Sequence, residues 1–381
     1  MAASEPRIYL DNNATTRPFP EVVDAMASHF RDAFANPGSQ HLDGRRARQA
    51  LERARETIAD LLGADPGEVI FTSGGTEAID TALLGLTAGP EPGTIALTAG
   101  EHPATTQTCQ ILKNRGWTLH TLDVDSDGRL IADDVERLPW DALKLVSVIL
   151  AHNETGVIQD VGPLARRCRE QSIPLHLDAV QAVGKIPVDF HDLGATALSL
   201  GAHKFHGPRG IGALLLREGS RLEPLLAGGH QESGRRSGTE PVALAVGMAK
   251  ALELCCRNQD ERRAQICRLR DRLEQGLADS CAPVVVNGSR EHRLPNTLNI
   301  AFPGIDGEAF LVALDLAGVA CSLGSTCASG SAEPAPALLA MACPVDVCLS
   351  AVRFSLSAEN TEQEIDGAIQ RIAAVKSLLE K

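Results

Sequence analysis

The sequence predicts an α/β fold with a mainly parallel sheet between helices, and two observations carry that expectation. Short apolar, β-rich runs at residues 69–72, 94–98, 143–150, 173–177, 195–200 and 211–216 alternate with helical patterns through the first two thirds of the chain. Such runs suit strands buried on both faces, as crossover helices require of a parallel sheet. The second observation is size and composition. With 381 residues the chain exceeds the ~100 to 200 of an average domain, so it holds two domains or one large one. Apolar residues make up 44% and charged residues 22%, near the globular averages of ~45 to 50% and ~25%, which excludes a disordered or fibrous chain.

Taken in order, the elements divide the chain. Between Gly44 and Arg55, charged residues alternate with Ala47, Ala50, Leu51, Ala54 and Ile58 at spacings of three and four. That spacing predicts an amphipathic helix whose arginines form the solvated face. Ala78 to Leu86 reads as a second helix. Around residues 227–241 the chain turns Gly-rich and polar, and Pro241 opens a helix that reaches about Cys256. This loop ends one unit. In the next, Ile266, Leu269, Leu273 and Leu277 mark another amphipathic helix, and residues 297–302, 319–323 and 351–356 are expected as strands. The last helix starts at a capping box, Thr361 with Glu364, and carries Ile365, Ile369, Ile372 and Val375 on one face.

Charge and cysteine usage narrow the function classes. The 36 basic and 49 acidic residues give a formal charge of −13, which repels nucleic acid and anionic lipid and argues against either as a main partner. Residues 1–10 lack the basic start and apolar run of a signal peptide, so a cytoplasmic protein is expected. No apolar stretch approaches the ~18 residues of a membrane span. None of the ten cysteines forms a C-x-x-C pair, so no metal site is expected. Most of these thiols should be reduced, buried and inert.

Chemistry concentrates in two segments. Phe71-Thr72-Ser73-Gly74-Gly75-Thr76-Glu77 follows an expected strand and precedes an expected helix, so its glycines stand where free amides can face a phosphate. By itself the motif is also compatible with a tight turn that binds nothing. Further on, Asp178 sits at the carboxyl end of a strand in Leu177-Asp178-Ala179-Val180-Gln181, the edge where open α/β sheets bind ligands. Lys204 follows 204 − 178 = 26 residues later, in Gly201-Ala202-His203-Lys204. Pyridoxal phosphate chemistry needs a lysine amine for its Schiff base, a carboxylate for the pyridinium nitrogen and a helix start for the phosphate. Taken singly, Asp178 reads as a turn residue and Lys204 as a surface charge; together they point to that cofactor.

A wider set of motifs carries a family resemblance. It comprises Tyr9-Leu10-Asp11-Asn12-Asn13-Ala14-Thr15-Thr16, Gly74-Gly75-Thr76-Glu77, Glu101-His102-Pro103-Ala104, Asn153-Glu154-Thr155-Gly156, Asp178-Ala179-Val180-Gln181, His203-Lys204, Arg236-Ser237-Gly238-Thr239 and Gly324-Ser325-Thr326-Cys327-Ala328-Ser329-Gly330. Together they resemble the cysteine desulfurases of the nitrogen-fixation and iron–sulfur-cluster assembly type, within the class V aminotransferases of fold type I. The likeness runs nearly end to end. It implies a large domain at residues 17–257, with a mainly parallel seven-stranded-type sheet. A smaller α+β domain would comprise residues 1–16 and 258–381 and carry the catalytic Cys loop at 321–333.

By the same resemblance, Lys204 would hold pyridoxal 5'-phosphate, Asp178 would pair with the ring nitrogen and Gln181 would hydrogen-bond the phenolic oxygen. His102 would stack on the ring and move protons, and Asn153 would lie against cofactor and substrate. Gly75, Thr76 and His203 would contact the phosphate, joined by Thr239 from the other subunit of a homodimer. Gly201 stands where relatives commonly carry Ser or Cys, and Leu323 replaces a usual small polar residue. Arg353 would clamp the carboxylate of L-cysteine, a task suited to a planar, bidentate guanidinium, with a strand-edge salt bridge as the alternative. Cys327, flanked by glycines and serines, would attack the substrate's sulfur, release alanine and keep a persulfide for an acceptor such as an iron–sulfur scaffold. Selenocysteine lyase, a class V aminotransferase or epimerase without a persulfide step, and a sulfur-relay scaffold that has lost catalysis are the alternatives. The intact Asp178, Gln181 and Lys204 speak against the last, and the Cys327 thiol against the second.

Overall fold

In the computed structural model, which describes residues 6–89, 91–323 and 334–380, the central sheet has seven strands. Across the sheet they run Val69–Thr72, Gly212–Leu216, Ala197–Gly201, Leu175–Asp178, Leu143–Ile149, Thr94–Thr98 and Thr118–Leu122. Only Gly212–Leu216 runs against its neighbours. The expected parallel sheet is therefore present, with one strand more than the sequence reading supplied. Thr118–Leu122 is that strand. It lies at the sheet edge and buries only Leu122, so it lacks the apolar run that marks the others.

Alternate residues of the inner strands point to opposite faces, and each face meets its own helices. Leu198 and Leu215 pack with Leu51 and Ile58 of helix Leu42–Leu62 and with Met248 of helix Val242–Cys256. On the other face, Ala197 and Leu214 meet Ala78 and Ala82 of helix Gly75–Thr87. Helix Leu42–Leu62 buries Ala47, Leu51, Ala54 and Ile58 as its spacing predicts. Arg55, expected on the solvated face, is instead buried. Its guanidinium donates to both carboxylate oxygens of Glu232 at 2.7 and 2.8 Å and to the Val69 carbonyl at 2.6 Å. Glu232 also accepts the Phe71 backbone N–H at 3.2 Å, so the Gly-rich segment is tied to the strand that leads into Gly74-Gly75.

The second sheet is antiparallel, in the order Ser322–Leu323, Ala351–Ser355, Thr297–Ala301, Val285–Val286. Residues 319–323, expected as one strand, split between two partners. Val319–Ala320 pairs with Ile8–Tyr9 in parallel, whereas Ser322–Leu323 pairs with Ala351–Ser355, and half-buried Cys321 lies at the break. Leu269, Leu273 and Leu277 of helix Gln259–Ser280 join Ile365 and Ile372 of helix Glu362–Leu379 in the core above this sheet. The expected capping box starts the last helix: Thr361 Oγ1 accepts the Glu364 N–H at 3.2 Å, and Glu364 Oε2 accepts the Thr361 N–H at 2.9 Å.

One stretch joins the two sheets. The Asn12 N–H donates to the Ser355 carbonyl at 3.1 Å, and four residues later the Thr16 N–H donates to the His203 carbonyl at 2.9 Å. Among the described residues no helix is long and apolar enough to cross a membrane.

Candidate active site

A cavity of about 500 Å³ opens at the carboxyl ends of strands Leu143–Ile149 and Leu175–Asp178, where Ile149 and Asp178 line it. Gly75 and Thr76 border it from one side, Ser322, Leu323 and Arg353 from the other. Helix Gly75–Thr87 starts at Gly74 with no side-chain cap, so the amides of its first turn are free at the cavity wall. Gly201 lies directly behind: a Cβ built there would sit 3.3 Å from the Gly75 nitrogen. His203 lines the same wall, with Nδ1 3.2 Å from Thr15 Oγ1, and burial followed by the charge of Lys204 pushes its pKa down to about 4.

The reactive pair faces this wall. Asp178 ends its strand almost fully buried and accepts the Val180 N–H at 2.9 Å, and burial pushes its carboxyl up to about 6. Lys204 Nζ donates to the carbonyls of Asn13 at 2.7 Å and Ala14 at 2.9 Å. Burial, and then the Arg353 guanidinium, push this amine down to about 8. His102 caps helix Pro103–Asn114: its Nδ1 accepts the Ala104 N–H at 3.1 Å. Burial, then Lys204 and His152, push it down to about 4, so at neutral pH the ring is uncharged and carries its proton on Nε2.

Arg353 occupies a strand hydrogen-bonded on both sides, so it is not at a sheet edge, although the ion pairs of the alternative reading are present. Its guanidinium reaches Glu154 Oε1 at 2.8 Å, Asp11 Oδ1 at 3.0 Å and the Asn153 carbonyl at 3.3 Å. These partners hold it at the cavity wall. Asp11 Oδ1 also accepts from Ser322 Oγ at 2.9 Å. The Asn153 amide, itself lining the cavity, donates to Glu154 Oε1 at 2.7 Å.

Of the residues singled out from sequence, Gly75, Thr76, His102, Asn153, Asp178, Gln181, His203, Lys204 and Arg353 thus share one cavity. Thr239 does not: it is exposed and absent from the lining of this cavity. Its loop is held close by, since Arg236 donates to Glu77 at 2.8 Å on the first turn of the Gly75–Thr87 helix. Cys327 lies outside the described residues. Besides Asp11 and Glu154, three more groups beside the site received no role from sequence. Asn13 bonds to Lys204, Gln181 and Lys185. Glu101 is buried and accepts the Ile149 N–H at 2.6 Å; burial, then Asp178, push its carboxyl up to about 8. Asn13 and Glu101 stand inside quoted motifs, which was their available signal. Lys185 had none, since its surroundings read like those of a surface lysine.

Pyridoxal phosphate fits these residues. An uncapped helix start suits the phosphate, a buried carboxylate raised by desolvation gains from a pyridinium N–H⁺, and a half-buried lysine with a lowered pKa has the free base that a carbonyl needs.

Comparison with known proteins agrees with this geometry. The model of the family "Aminotransferase class-V" matches residues 8–367, and the chain belongs to that family. Cysteine desulfurase NifS of Azotobacter vinelandii is 44% identical over 374 residues, covering 98% of this chain and 93% of that protein. A solved NifS-like protein superposes with a TM-score of 0.92 at 36% identity, covering 98% of this chain and all 100% of that one. A structure titled SspA in complex with cysteine superposes at 0.82, with 30% identity over 93% of this chain and 100% of that one. Within its family the chain therefore groups with the NifS-type cysteine desulfurases, whose cofactor is pyridoxal phosphate.

Proposed function

We propose that the protein is a pyridoxal phosphate-dependent cysteine desulfurase that converts L-cysteine to L-alanine and keeps the sulfur as a persulfide on Cys327. The observation that carries this reading is the meeting of Lys204, Asp178, His102 and Arg353 around one cavity, with the lysine held partly as free base. Lys204 anchors the cofactor, the Gly75–Thr76 turn and His203 hold its phosphate, Asp178 its ring nitrogen and Gln181 its phenolic oxygen. Bound there, the cofactor supplies an electron sink for the bonds of the substrate's α-carbon.

The chain's own groups do the rest. Arg353 binds the substrate carboxylate from a position that Asp11 and Glu154 fix in advance, which lowers the ordering cost of binding. Lys204 would take the substrate's α-proton; Asn13 and Ala14 supply acceptors that orient its Nζ. His102, neutral with a hydrogen on Nε2, would border the cofactor in this cavity and exchange a proton at that atom. The Cys327 thiolate attacks the substrate sulfur. As the carbon–sulfur bond breaks, its electrons stay with the β-carbon, which takes up a proton; the α-carbon regains the proton held by Lys204, alanine leaves, and a terminal sulfur remains on Cys327. An acceptor protein, such as an iron–sulfur scaffold, then removes it. The active form is a cytoplasmic homodimer in which Thr239 completes the neighbouring subunit's phosphate site; the exposure of Thr239 and the anchoring of its loop through Arg236 support this.

The test is mass spectrometry of protein treated with L-cysteine and no reductant. Added sulfur is expected on the Cys327 peptide, and Cys327→Ser should keep the cofactor's colour while losing alanine and sulfide release. Near-normal turnover by Cys327→Ser would leave a pyridoxal phosphate enzyme of another kind. Turnover of L-selenocysteine but not L-cysteine would select the lyase.

A further inference from the structure

We propose that Lys185 is a positioning residue that fixes which edge of the Gln181 amide faces the cofactor site. This rests on the reading that Gln181 donates to the cofactor's phenolic oxygen. A glutamine amide has an acceptor at one end and a donor at the other, and turning it over exchanges them. Here each end meets its complement. Lys185 Nζ donates to Gln181 Oε1, and Gln181 Nε2 donates to the Asn13 carbonyl at 2.9 Å. The turned-over amide would set NH2 against an amine and oxygen against oxygen. A charged lysine has no acceptor for the wrong edge, and beside a neutral one the turned-over amide would still set its oxygen against the Asn13 carbonyl. With Oε1 and one Nε2 hydrogen engaged, the second Nε2 hydrogen is left for the cavity that Gln181 lines.

The device is itself fixed. Lys185 Nζ also donates to Asn13 Oδ1 at 2.8 Å, and that oxygen accepts Asn296 Nδ2 at 3.0 Å. Asn13 Nδ2 donates to Thr297 Oγ1 at 2.9 Å and to the Asn153 carbonyl at 3.0 Å, so the Asn13 amide has its own matched partners at both ends. Next to Lys185, Gly184 adopts φ +76°, and a Cβ there would meet the Cβ of Phe205 at 2.5 Å; the backbone therefore approaches its neighbour as only glycine allows. Lys185 reaches Gln181 from behind: it borders a separate cavity of about 30 Å³ together with Lys204, and is not part of the lining of the large one. The titratable groups around it are Lys204, Arg353 and Cys255, together with the uncharged imidazoles of His203 and His206. Enclosure and these two cations hold its pKa well below the ordinary value, yet a neutral amine still has hydrogens for both oxygens.

The experiment is a pH titration of the visible absorbance of the bound cofactor in substrate-free holoenzyme. A donor on the phenolic oxygen stabilises its ionised form, so Lys185→Met should raise the chromophore pKa by about one unit. The rise should vanish in a Gln181→Ala background, and Lys185→Arg should restore the native value. No shift in Lys185→Met would overturn the proposal. So would an equal shift with Gln181 absent, because Lys185 would then act by its charge alone. Should Lys185→Met fail to fold, Lys185→Gln keeps a donor without the charge: a native chromophore pKa supports the proposal and a raised one overturns it. A native protein that stays colourless after reconstitution would refute the cofactor reading itself, a result no Lys185 variant can mimic.

Discussion

An amine that attacks a carbonyl must be unprotonated, and the surroundings of Lys204 set how much of it is. Burial, then Arg353, push its pKa down to about 8, with Asp178, Asp11 and Glu154 opposing. At pH 7 about one tenth of such an amine is neutral, against roughly three in ten thousand for the reference value of 10.5, a gain of about 300-fold. The assay uses apoprotein stripped with hydroxylamine and labelled with a trace of acylating reagent from neutral to alkaline pH. The peptide of exposed Lys144 serves as the reference for reagent reactivity. Labelling at Lys204 should have its midpoint near pH 8. Arg353→Met removes a like charge and should move the midpoint up, whereas Asp178→Asn removes an opposite charge and should move it down. A midpoint near 10.5, or variant shifts of the opposite sign, would refute the claim that burial and these charges tune the amine.

Two further outcomes follow from buried charge. Glu232→Ala strips the buried Arg55 guanidinium of its bidentate carboxylate, leaving it the Val69 carbonyl and Glu52, and leaves the Phe71 N–H without its acceptor, so a loss of about 3 kcal/mol is expected in urea unfolding; less than about 1 kcal/mol would mean the pair is not holding the loop. Glu101 has a folded-state pKa raised from 4.5 to about 8, so its favourable contribution is present below the first value and is lost as pH rises through the second. Glu101→Gln should remove that part of the decline in stability between the two ends of the window, and an unchanged pH dependence would sink the idea.

Where the sequence spoke clearly, burial was uniform. The inner strands are buried along nearly their whole length because both faces are covered, so short runs such as Thr94–Thr98 declare themselves. Thr118–Leu122 has one covered flank and a mixed pattern, and such a segment is legible only once its neighbour Thr94–Thr98 is in place. Residues 319–323 looked continuous because local pattern does not reveal a change of partner. Arg55 sits in a helix rich in arginine, and nothing nearby distinguishes it; what buries it is a carboxylate 177 positions away. The site residues were found through ordered motifs, each tied to a chemical need. Lys185 escaped because its role depends on what Asn13, 172 positions away, offers in space.

The bridge at Asn12 and Asn13 also bears on how the protein comes into being. Lys204 rests on carbonyls from the first fifteen residues, while Asp11 and Asn13 are bonded to Arg353 and Ser355, 342 positions downstream. During synthesis the phosphate turn, Asp178 and Lys204 all emerge well before Arg353 does. A ribosome-bound chain could therefore complete the central sheet while the opening segment still lacks its last partners. The strand Ala351–Ser355 pins that segment from the far side, and with it the acceptors that aim the lysine. The acceptors that aim the lysine are thus fastened only once residues 351–355 are in place, and forms cut short before residue 351 lack both Arg353 and the fastening of the loop beneath Lys204.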